Sequence, residues 1–443
     1  MPVEPDGGTA GGLLIAAPSS GAGKTTLTLA LIRALRNAGH SMVSAKSGPD
    51  YIDPKFHEAA SGTPCINLDA WAMDRQTLCS LAAGQGAGHD LLLIEGAMGL
   101  FDGAANGRGS AAELAATLRV PVILVVDCAR QSQSVAALVH GFQTFRTDIE
   151  IAGVILNRIG SARHEKMLRM ALEPLGARVF GALPRTPDLV LPERHLGLVQ
   201  AVEHPDLETF LERAADLCDQ NMDLTAIAGA STAIGEHPRE RTALPGPPGQ
   251  RIAIARDVAF AFSYQHMLDF WRGEGAELSF FSPLADEGPD PAADAVFLPG
   301  GYPELHAASL AANGNFKAGL REAARAGSFV YGECGGYMVL GQGLVDADGA
   351  RHEMLGLLPL ETSFANRTRH LGYRKLEPLG SLPWNMSLSG HEFHYATIMR
   401  EGEADRLFRA TDAEGGSLPD MGLINGSVMG SFAHVIGRTS EVY

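Results

Sequence analysis

Short apolar runs alternate with helix-like stretches through the first half of the chain, from about residue 12 to residue 218. The runs are continuously apolar, which is typical of strands buried on both faces of a parallel sheet. Helices are expected to cover both faces of this sheet. The pattern predicts six strands: Leu13–Ala17, Ser41–Ala45, Leu91–Ile94, Val122–Val126, Ile151–Leu156 and Val179–Leu183.

The pattern changes over residues 221–249, which are rich in Ala, Gly, Thr and Pro and favour an interdomain linker. A new apolar run at Arg251–Ala255 begins a second set of alternating elements, expected to continue to Tyr443. A chain of 443 residues is also too long for one hydrophobic core. We therefore predict two α/β domains, the first with a parallel sheet. The predicted division is a flexible tail over 1–12, a first domain over 13–220, a linker over 221–249 and a second domain over 250–443.

The first predicted strand is followed by a glycine-rich segment, Pro18–Thr26, and then by a helical pattern. Gly21 and Gly23 allow backbone N–H groups to close around phosphate oxygens at a helix N-terminus. Lys24 is then expected to reach the β- and γ-phosphates, and Thr25 to offer its hydroxyl to Mg²⁺. A consensus loop begins with glycine where Pro18 stands, but the Gly-Lys-Thr core is complete. The alternative is an ordinary glycine-rich turn with a solvated lysine.

Charged residues follow the second and third predicted strands, where ligands of open parallel sheets bind. Lys46 and Asp50 follow the second strand, and Glu95 ends the third. Carboxylates at these ends suit Mg²⁺, so the predicted metal ligands are Thr25, Asp50 and Glu95. Lys46 is expected to contact a transferring phosphoryl group, with a solvated lysine as the alternative. For Asp50, and for Asp102 in the next loop, turn formation is the alternative.

The last two predicted strands of this domain end in Asn157-Arg158 and in Gly181–Pro184. Either end is a candidate to face an adenine base, and turn formation is equally compatible with both. The full predicted nucleotide-binding set is Gly21, Gly23, Lys24, Thr25, Thr26, Lys46 and Asn157.

A second group of chemically suggestive residues lies in the second half, where an apolar strand leads into Gly332–Gly336. Small residues around Cys334 at a strand-to-helix turn are what a nucleophile elbow requires. The helix N-terminus is expected to lower the pKa of the thiol. Backbone N–H groups of Gly300 and Gly301 are candidates for an oxyanion hole, and His434 is the candidate base, although a lone histidine is more often structural.

The sequence His391-Glu392-Phe393-His394 resembles a metal-binding motif only superficially. Its spacing is one residue short of His-Glu-x-x-His, and in a strand the two histidines point to opposite faces. Metal binding by His391 and His394 is therefore disfavoured.

Composition narrows the classes of function. The chain has 35 Lys and Arg against 51 Asp and Glu, a net charge of −16, which argues against nucleic acid and anionic membrane as partners. No apolar run approaches the ~20 residues of a membrane span, and the N-terminus lacks the pattern of a signal peptide. Five cysteines without a Cys-x-x-Cys pair indicate neither a disulfide framework nor a zinc site. A cytoplasmic location is the expectation.

Together the motifs resemble a known family over nearly the whole chain, from about Leu13 to Gly437. The first half resembles dethiobiotin synthetase-like P-loop ligases, and the second resembles class I glutamine amidotransferases of the cobalamin-pathway type. The order of the motifs is similar to that of the cobyrinic acid or hydrogenobyrinic acid a,c-diamide synthase family. The segments that carry the resemblance are Ala17–Thr26, Gly48–Pro54, Glu95–Gly103, Pro299–Glu304 and Gly390–Tyr395.

This resemblance implies a two-part reaction that uses L-glutamine, ATP and Mg²⁺. Cys334, activated by His434, would hydrolyse glutamine through a thioester and release ammonia. The first domain would convert acetate carboxylates of a corrin-type macrocycle into acyl phosphates, which ammonia would turn into amides at the c and a positions. Asp50, Tyr51 and Asp102 would lie on the substrate side. A homodimer is compatible, because ligases of this fold often pair across their active sites.

One position departs from the class I pattern. Many of these amidotransferases have Glu two residues after the catalytic histidine, and Ile436 stands there in this chain. Glu392 is our hypothesis for the group that orients His434. Glutaminase activity that survived Glu392→Gln unchanged would refute that hypothesis.

Several related functions remain open at this level. Cobyric acid synthases use similar domains, although their histidine motif usually differs and this chain is short for them. A relative acting on nickel sirohydrochlorin is another alternative, as is a P-loop ATPase that works as a binding switch, for which Cys334 would have no use. The choice between metal-free hydrogenobyrinic acid and cobalt-containing cobyrinic acid also stays open, with overall resemblance favouring the former.

Overall fold

The computed structural model describes residues 9–186, 189, 191–194, 197–235, 244–380 and 382–439. The chain divides into two compact units, Met1–Thr242 and Ala243–Tyr443. Each unit is an α/β structure built around its own sheet, which confirms the predicted fold class.

The first unit contains a sheet of seven parallel strands in the order β3-β2-β4-β1-β5-β6-β7, with short β10 antiparallel to β1. Strand β1 therefore lies in the centre, between β4 and β5. The strands are β1 Gly11–Ala16, β2 Met42–Ser47, β3 Ile66–Leu68, β4 Leu91–Glu95, β5 Val122–Asp127, β6 Ile151–Ile159, β7 Val179–Pro184, β8 Glu193–Arg194, β9 Gly197–Leu198 and β10 Thr232–Ala233.

Eight helices accompany these strands within the described part of the first unit. Ser110 caps α4 by accepting from the backbone N–H of Glu113, as the Ser-x-x-Glu pattern predicts. The helices are α1 Lys24–Asn37, α2 Asp53–Ser61, α3 Arg75–Gly86, α4 Ala111–Leu118, α5 Val135–Thr144, α6 Ala162–Leu172, α7 Leu207–Asn221 and α8 Leu224–Gly229.

All six strands predicted for this half are present, with ends that differ from the predicted ones by at most three residues. The pattern missed β3, because three residues are too few to show a period. Part of the predicted linker is also ordered, since α8 lies in it and β10 pairs with β1. Gly11 and Gly12 of the predicted tail begin β1. Residues 1–8 of that tail and 236–243 of the linker lie outside the described residues.

The second unit is organised around a ten-stranded mixed sheet, in the order β12-β11-β13-β14-β23-β22-β21-β18-β19-β24, beside a four-stranded sheet. Its helices are α9 Gln265–Gly273, α10 Ala307–Ala312, α11 Gly314–Arg325 and α12 Gly335–Leu340. Its strands are β11 Arg251–Ala255, β12 Glu277–Phe281, β13 Ala295–Leu298, β14 Phe329–Glu333, β15 Gly343–Val345, β16 Arg351–Glu353, β17 Leu360–Ser363, β18 His370–Pro378, β19 Leu388–His394, β20 Thr397–Glu401, β21 Asp405–Thr411, β22 Met421–Asn425, β23 Val428–Ser431 and β24 Ala433–Arg438.

The prediction that alternating elements continue to Tyr443 was wrong. After α12 the described chain contains ten strands and no α-helix, paired largely antiparallel. The five strands β12, β11, β13, β14 and β23 pair parallel, which the helices between them permit. The remainder can pair antiparallel through short turns, so strands follow one another without helices.

No helix within the described ranges combines the length and the apolar character that crossing a membrane would require. All five cysteines are free and buried.

Candidate functional sites

The segment after β1 forms a loop that ends at the N-terminus of α1. Gly21 and Gly23 have φ angles of 78° and 87°, in the left-handed region that favours glycine. A Cβ on Gly23 would lie 2.5 Å from Nδ2 of Asn157. That same Nδ2 donates to the carbonyl of Ala22 at 2.8 Å. Asn157, predicted to bind nucleotide, thus supports the loop from β6.

Lys24 is buried at the first position of α1, and its Nζ donates to the carbonyl of Met98 at 2.6 Å. Burial is the largest influence on the pKa of Lys24 and lowers it from the usual value. A cavity of about 420 Å³ at this point is lined by most of the predicted phosphate and metal residues. They are Gly21, Gly23, Lys24, Thr25, Thr26, Lys46, Asp50 and Glu95, together with Asp53.

Two buried carboxylates meet the hydroxyl of Thr25 and the ammonium group of Lys46. Oε1 of Glu95 accepts from Thr25 Oγ1 at 2.6 Å and from Lys46 Nζ at 2.8 Å. Oδ2 of Asp53 accepts from the same Nζ at 2.5 Å and from Thr25 Oγ1 at 3.4 Å. Two carboxylates and a hydroxyl form an all-oxygen donor set of the kind that Mg²⁺ prefers.

Asp50, predicted as a metal ligand, lines the cavity and is also engaged by backbone groups. Its Oδ1 accepts from the backbone N–H groups of Ile52 and Asp53 at 2.8 and 3.1 Å, so the side chain caps the turn that opens α2. Asp53, one turn further along, contacts Thr25 instead. Asp53 is the carboxylate that contacts the Thr25 hydroxyl and the Lys46 ammonium group, the same two donors that Glu95 contacts.

The charges in this cluster balance one another. Burial by itself lowers the pKa of Lys46, but the carboxylates of Asp53 and Glu95 outweigh it and raise that pKa. Burial likewise opposes ionisation of Glu95, yet Lys46 and His57 lower the pKa of Glu95. For Asp53, burial together with Asp50 raises the pKa to about 7. Because Asp53 is incompletely ionised at neutral pH, a further cation would be favourable here.

His57 is a buried member of this cluster that the sequence analysis did not identify. Its Nε2 lies 2.7 Å from Oε2 of Glu95, and both side chains are fully buried. Asp53 and His57 are four residues apart on α2, so both reach the same side of the helix. That Asp-x-x-x-His spacing at the start of a helix was the signal available in the sequence.

The other two predicted substrate residues lie in different environments. Oδ2 of Asp102 accepts from the backbone N–H of Gly99 at 3.0 Å, so this carboxylate shapes the loop after β4. Tyr51 is 6% exposed and packs at the start of α2. Their role towards the substrate stays a prediction.

A larger cavity of about 900 Å³ adjoins the loop on the side of β6 and β7. It contains Thr26, Asn157 and Arg158, and Leu183 and Pro184 at the end of β7. Both strand ends that were candidates for the adenine base therefore line one space. Arg158 is held there by an ion pair with Asp127. A cavity of this volume beside a phosphate loop is large enough for a base and ribose.

In the second unit, Cys334 lies in a sharp turn between β14 and α12. Its φ and ψ angles are 46° and −105°, a strained conformation for a residue with a side chain. A Cβ on Gly336 would lie 2.0 Å from the carbonyl oxygen of Leu298, so only glycine fits beside this turn. The nucleophile-elbow geometry predicted from the small residues is thus present.

Gly300 lies between the predicted nucleophile and the predicted base. A Cβ built on it would lie 2.3 Å from Cε1 of His434 and 3.2 Å from Cβ of Cys334. Gly301 is equally confined, since its Cβ would be 2.0 Å from the carbonyl oxygen of Ala259. The fold therefore brings together Cys334, His434 and the glycine pair, which are separated by up to 134 residues in the sequence.

The prediction that the helix N-terminus lowers the pKa of Cys334 was wrong. Cys334 is 3% exposed, and burial raises the pKa of its thiol, with Glu304 adding to the effect. The six-residue α12 is short, and its dipole does not offset this desolvation. A thiolate here consequently depends on proton transfer to a base.

His434 is fully buried, and burial lowers its pKa to about 3. It is therefore neutral at physiological pH, the form that accepts a proton. Oε2 of Glu333, the residue before Cys334, lies 3.8 Å from its Nδ1.

Glu392 does not have the place that our hypothesis gave it. Its Oε1 accepts from His394 Nε2 at 2.9 Å, and its Oε2 accepts from Arg374 Nε at 2.8 Å. His391 and His394 belong to β19. Donor atoms of His370, Glu392 and His394 lie within 4.8 Å of one another among the described residues. The Arg374 guanidinium on the same carboxylate, however, opposes binding of a cation there.

Both units match known protein families. Residues 13–199 match the family described as the CobQ/CobB/MinD/ParA nucleotide binding domain. Residues 251–442 match the CobB/CobQ-like glutamine amidotransferase domain.

Curated relatives from several bacteria carry the name hydrogenobyrinate a,c-diamide synthase. The protein of Brucella abortus is 59% identical over 97% of this chain and 99% of its own length. That of Rhizobium meliloti is 58% identical, covering 96% of this chain and 99% of the relative. That of Rhodobacter capsulatus is 53% identical, with coverages of 96% and 98%. With likeness of this extent in both domains, the chain belongs to the hydrogenobyrinate a,c-diamide synthase family.

Proposed function

We propose that this protein uses ATP and glutamine to amidate the a and c acetate carboxylates of hydrogenobyrinic acid in cobalamin biosynthesis. The observation that carries the proposal is the presence of two differently equipped sites in one chain. One has a phosphate loop with buried lysines and carboxylates, and the other has a cysteine elbow beside a buried neutral histidine. The 59% and 53% identity to proteins named for this reaction, which extends over nearly the full chain, supports the proposal.

The metal-free macrocycle is proposed because the relatives are named for hydrogenobyrinate. This agrees with the expectation from overall resemblance and makes cobyrinic acid the alternative substrate. A P-loop switch without ligase activity is disfavoured, because such a protein has no use for the Cys334 elbow.

In the glutaminase step, His434 takes the proton of the Cys334 thiol as the sulfur attacks the side-chain amide carbon of glutamine. Backbone N–H groups at Gly300 and Gly301 are the proposed donors to the developing oxyanion. The carbon–nitrogen bond then breaks, and His434 returns the proton to the leaving ammonia. Water hydrolyses the resulting thioester to glutamate and regenerates the thiol.

In the synthetase step, an acetate carboxylate of the macrocycle attacks the γ-phosphorus of ATP, and ADP leaves. Ammonia then attacks the acyl phosphate, and phosphate departs as the amide forms. The proposed role of Lys24 and Lys46, which line the same cavity, is to stabilise charge on the transferring phosphoryl group with their ammonium groups. Asp50, Tyr51 and Asp102 are the proposed substrate-side residues, and Gly21, Gly23, Thr26 and Asn157 the proposed nucleotide-side residues.

Mg²⁺ is the proposed metal of the first site, and Thr25, Asp53 and Glu95 would hold it. When bound, it would neutralise negative charge on the phosphates. The fit rests on the oxygen donor set and on the incompletely ionised Asp53 beside Glu95. His57, which bonds Glu95, keeps that carboxylate oriented.

We also propose that the reaction occurs in the cytoplasm, where ATP and glutamine are supplied, and that two chains pair into a dimer. The pairing rests on resemblance to ligases of this fold, and sedimentation equilibrium of the purified protein tests it. A monomer at micromolar concentration would contradict it.

The test of the function is mass spectrometry of hydrogenobyrinic acid and cobyrinic acid, incubated separately with the protein, ATP, Mg²⁺ and glutamine. We expect two successive carboxyl-to-amide mass shifts on hydrogenobyrinic acid. Cys334→Ala should remove them with glutamine but retain them with ammonium salt, because only the ammonia source is lost.

Three results would contradict the proposal. No amidation of either macrocycle while ATP is still hydrolysed would remove the ligase function. Preference for cobyrinic acid would correct the substrate. Unchanged glutamine-dependent amidation by Cys334→Ala would remove Cys334 from the role of nucleophile.

A further inference from the structure

The class I position for a group that orients the catalytic histidine is held by Ile436, a fully buried apolar side chain. A carboxylate nevertheless lies beside His434, contributed by a different strand. Oε2 of Glu333 is 3.8 Å from Nδ1 of His434, and both side chains are buried.

The sheet explains how Glu333 reaches the base. Glu333 is the last residue of β14, directly before Cys334, and it pairs in register with Ser431 of β23. The chain leaves β23 and begins β24 two residues later, so His434 arrives next to the end of β14. One strand end therefore presents the nucleophile and the carboxylate together.

The carboxylate is fixed to the backbone that carries the base. Oε1 of Glu333 accepts from the backbone N–H of Val435 at 3.0 Å, leaving Oε2 on the His434 side. Burial raises the pKa of Glu333 to about 8, and the groups that lower it, the Val435 amide and the Tyr331 side chain, are neutral. A carboxyl buried with neutral neighbours costs stability that an apolar residue would not. This cost points to a role in the chemistry.

The base itself needs such a group. Burial lowers the pKa of His434 to about 3, so an imidazolium ion in this place is unfavourable on its own. The other nearby carboxylate, Glu392, is already bound by His394 and Arg374.

We infer that Glu333 is a positioning residue for His434, an inference that rests on the glutaminase function proposed above. The Oε2 atom of its carboxyl group accepts the Nδ1 proton of His434, which leaves Nε2 as the acceptor for the thiol proton of Cys334. The distance of 3.8 Å exceeds the ~2.9 Å of a hydrogen bond. A small tilt of the ring as it gains charge closes this gap, and catalytic hydrogen bonds are commonly long before substrate binds.

The experiment compares the full chain with Glu333→Gln, Glu333→Asp and Glu392→Gln. Steady-state hydrolysis of glutamine gives kcat and KM, ammonia-dependent amidation reports on the other site, and thermal unfolding reports on folding. In Glu333→Gln the amide oxygen can still accept from the Val435 N–H, so the change replaces chiefly the oxygen acceptor that faces Nδ1 of His434 with an NH₂ donor. We expect kcat to fall by roughly 10- to 100-fold with KM within about twofold, because a positioning residue supplies part of the roughly 10²- to 10⁴-fold contribution of general acid–base catalysis. Glu392→Gln should change kcat less than threefold.

Ammonia-dependent amidation and the melting temperature should stay close to wild type in Glu333→Gln. A kcat within twofold of wild type in that variant would overturn the inference, as would a rise in KM that accounts for the whole loss. Should Glu333→Gln not fold, Glu333→Asp decides, because its shorter carboxylate cannot reach Nδ1. A tenfold fall in kcat then supports the inference, and a value within twofold overturns it. Wild-type glutaminase that persists in Cys334→Ala would refute the proposed function instead.

Discussion

The two candidate sites use buried ionisable groups in opposite ways. Around the phosphate loop, Lys46 and Glu95 are buried as charged partners that stabilise one another, and Asp53 accepts from the same ammonium group. Around the cysteine elbow, burial favours the neutral forms of Cys334 and His434.

The difference follows the chemistry proposed for each site. Phosphoryl transfer requires fixed charges that match a metal and an anionic nucleotide, so charge has to be retained inside the protein. Glutamine hydrolysis requires a proton to move from a thiol to a histidine and on to ammonia, so both groups begin neutral. Desolvation of ionisable groups therefore has to be offset by partner charges in the phosphate-loop site, whereas in the cysteine site it favours the neutral forms that the reaction begins from.

Lys24→Ala should separate the two sites most strongly. Loss of the phosphate-binding ammonium group is expected to lower amidation by roughly 100- to 1000-fold with either ammonium salt or glutamine. Glutamine hydrolysis by Cys334 should persist. Lys55→Ala, at a half-exposed lysine of α2 paired with Glu58, is the matched control. Ammonia-dependent amidation within tenfold of wild type in Lys24→Ala would contradict the assignment.

Gly300→Ala should damage the other site alone. The added Cβ would lie 2.3 Å from the His434 ring and displace it. Glutaminase kcat is expected to fall by about 100-fold, the scale of a lost acid–base contribution. Ammonia-dependent amidation should not change. Gly314→Ala places its Cβ in open space and is the matched control. An active Gly300→Ala enzyme would show that the turn accommodates the methyl group.

A pair of asparagine variants sharpens the metal assignment in the charged site. Asp53→Asn should raise the Mg²⁺ concentration for half-maximal ammonia-dependent amidation by roughly tenfold or more, because a ligand charge is lost. Asp50→Asn should raise it less, since its Oδ1 is engaged by two backbone N–H groups. The opposite order of effects would restore Asp50 as the ligand and remove Asp53.

The neutral histidines of the second unit predict a pH dependence of stability. Burial lowers the pKa of His266 to about 4 and of His391 and His434 to about 3, against ~6.5 in the unfolded chain. Below pH 6.5 the unfolded chain binds protons that the folded unit does not. The contribution of these neutral histidines to the free energy of unfolding is thus complete above pH 6.5. It is lost as pH falls towards 4, by up to roughly 1.4 kcal/mol per pH unit for each histidine.

Urea unfolding of a Trp71→Phe protein measures this, because the two tryptophans that remain, Trp271 and Trp384, belong to the second unit. His266→Gln should reduce the slope of the unfolding free energy against pH by the amount that corresponds to about one bound proton. A flat profile from pH 7 to 5 would mean that these histidines are protonated in the folded protein.

Much of the fold and of both sites was readable from the sequence because the signals are local. A continuous apolar run before Gly21–Thr25 predicts strand, loop and helix within a single segment. Small residues around Cys334 likewise predict a turn from a few neighbours. The ends of the parallel strands were found for the same reason, and with them Lys46, Glu95 and Asn157.

Tertiary structure decided which of these groups contact one another and in which protonation state. Asp50 and Asp53 are both carboxylates after one strand, and only the turn that opens α2 directs the second towards Thr25. The pKa of Cys334 depends on burial by the surrounding protein, which outweighs its short helix. Glu333 and His434 are 101 positions apart in the sequence. They meet because β14 pairs with β23. The sequence alone cannot give this pairing, because the choice of strand partners depends on the packing of the whole sheet.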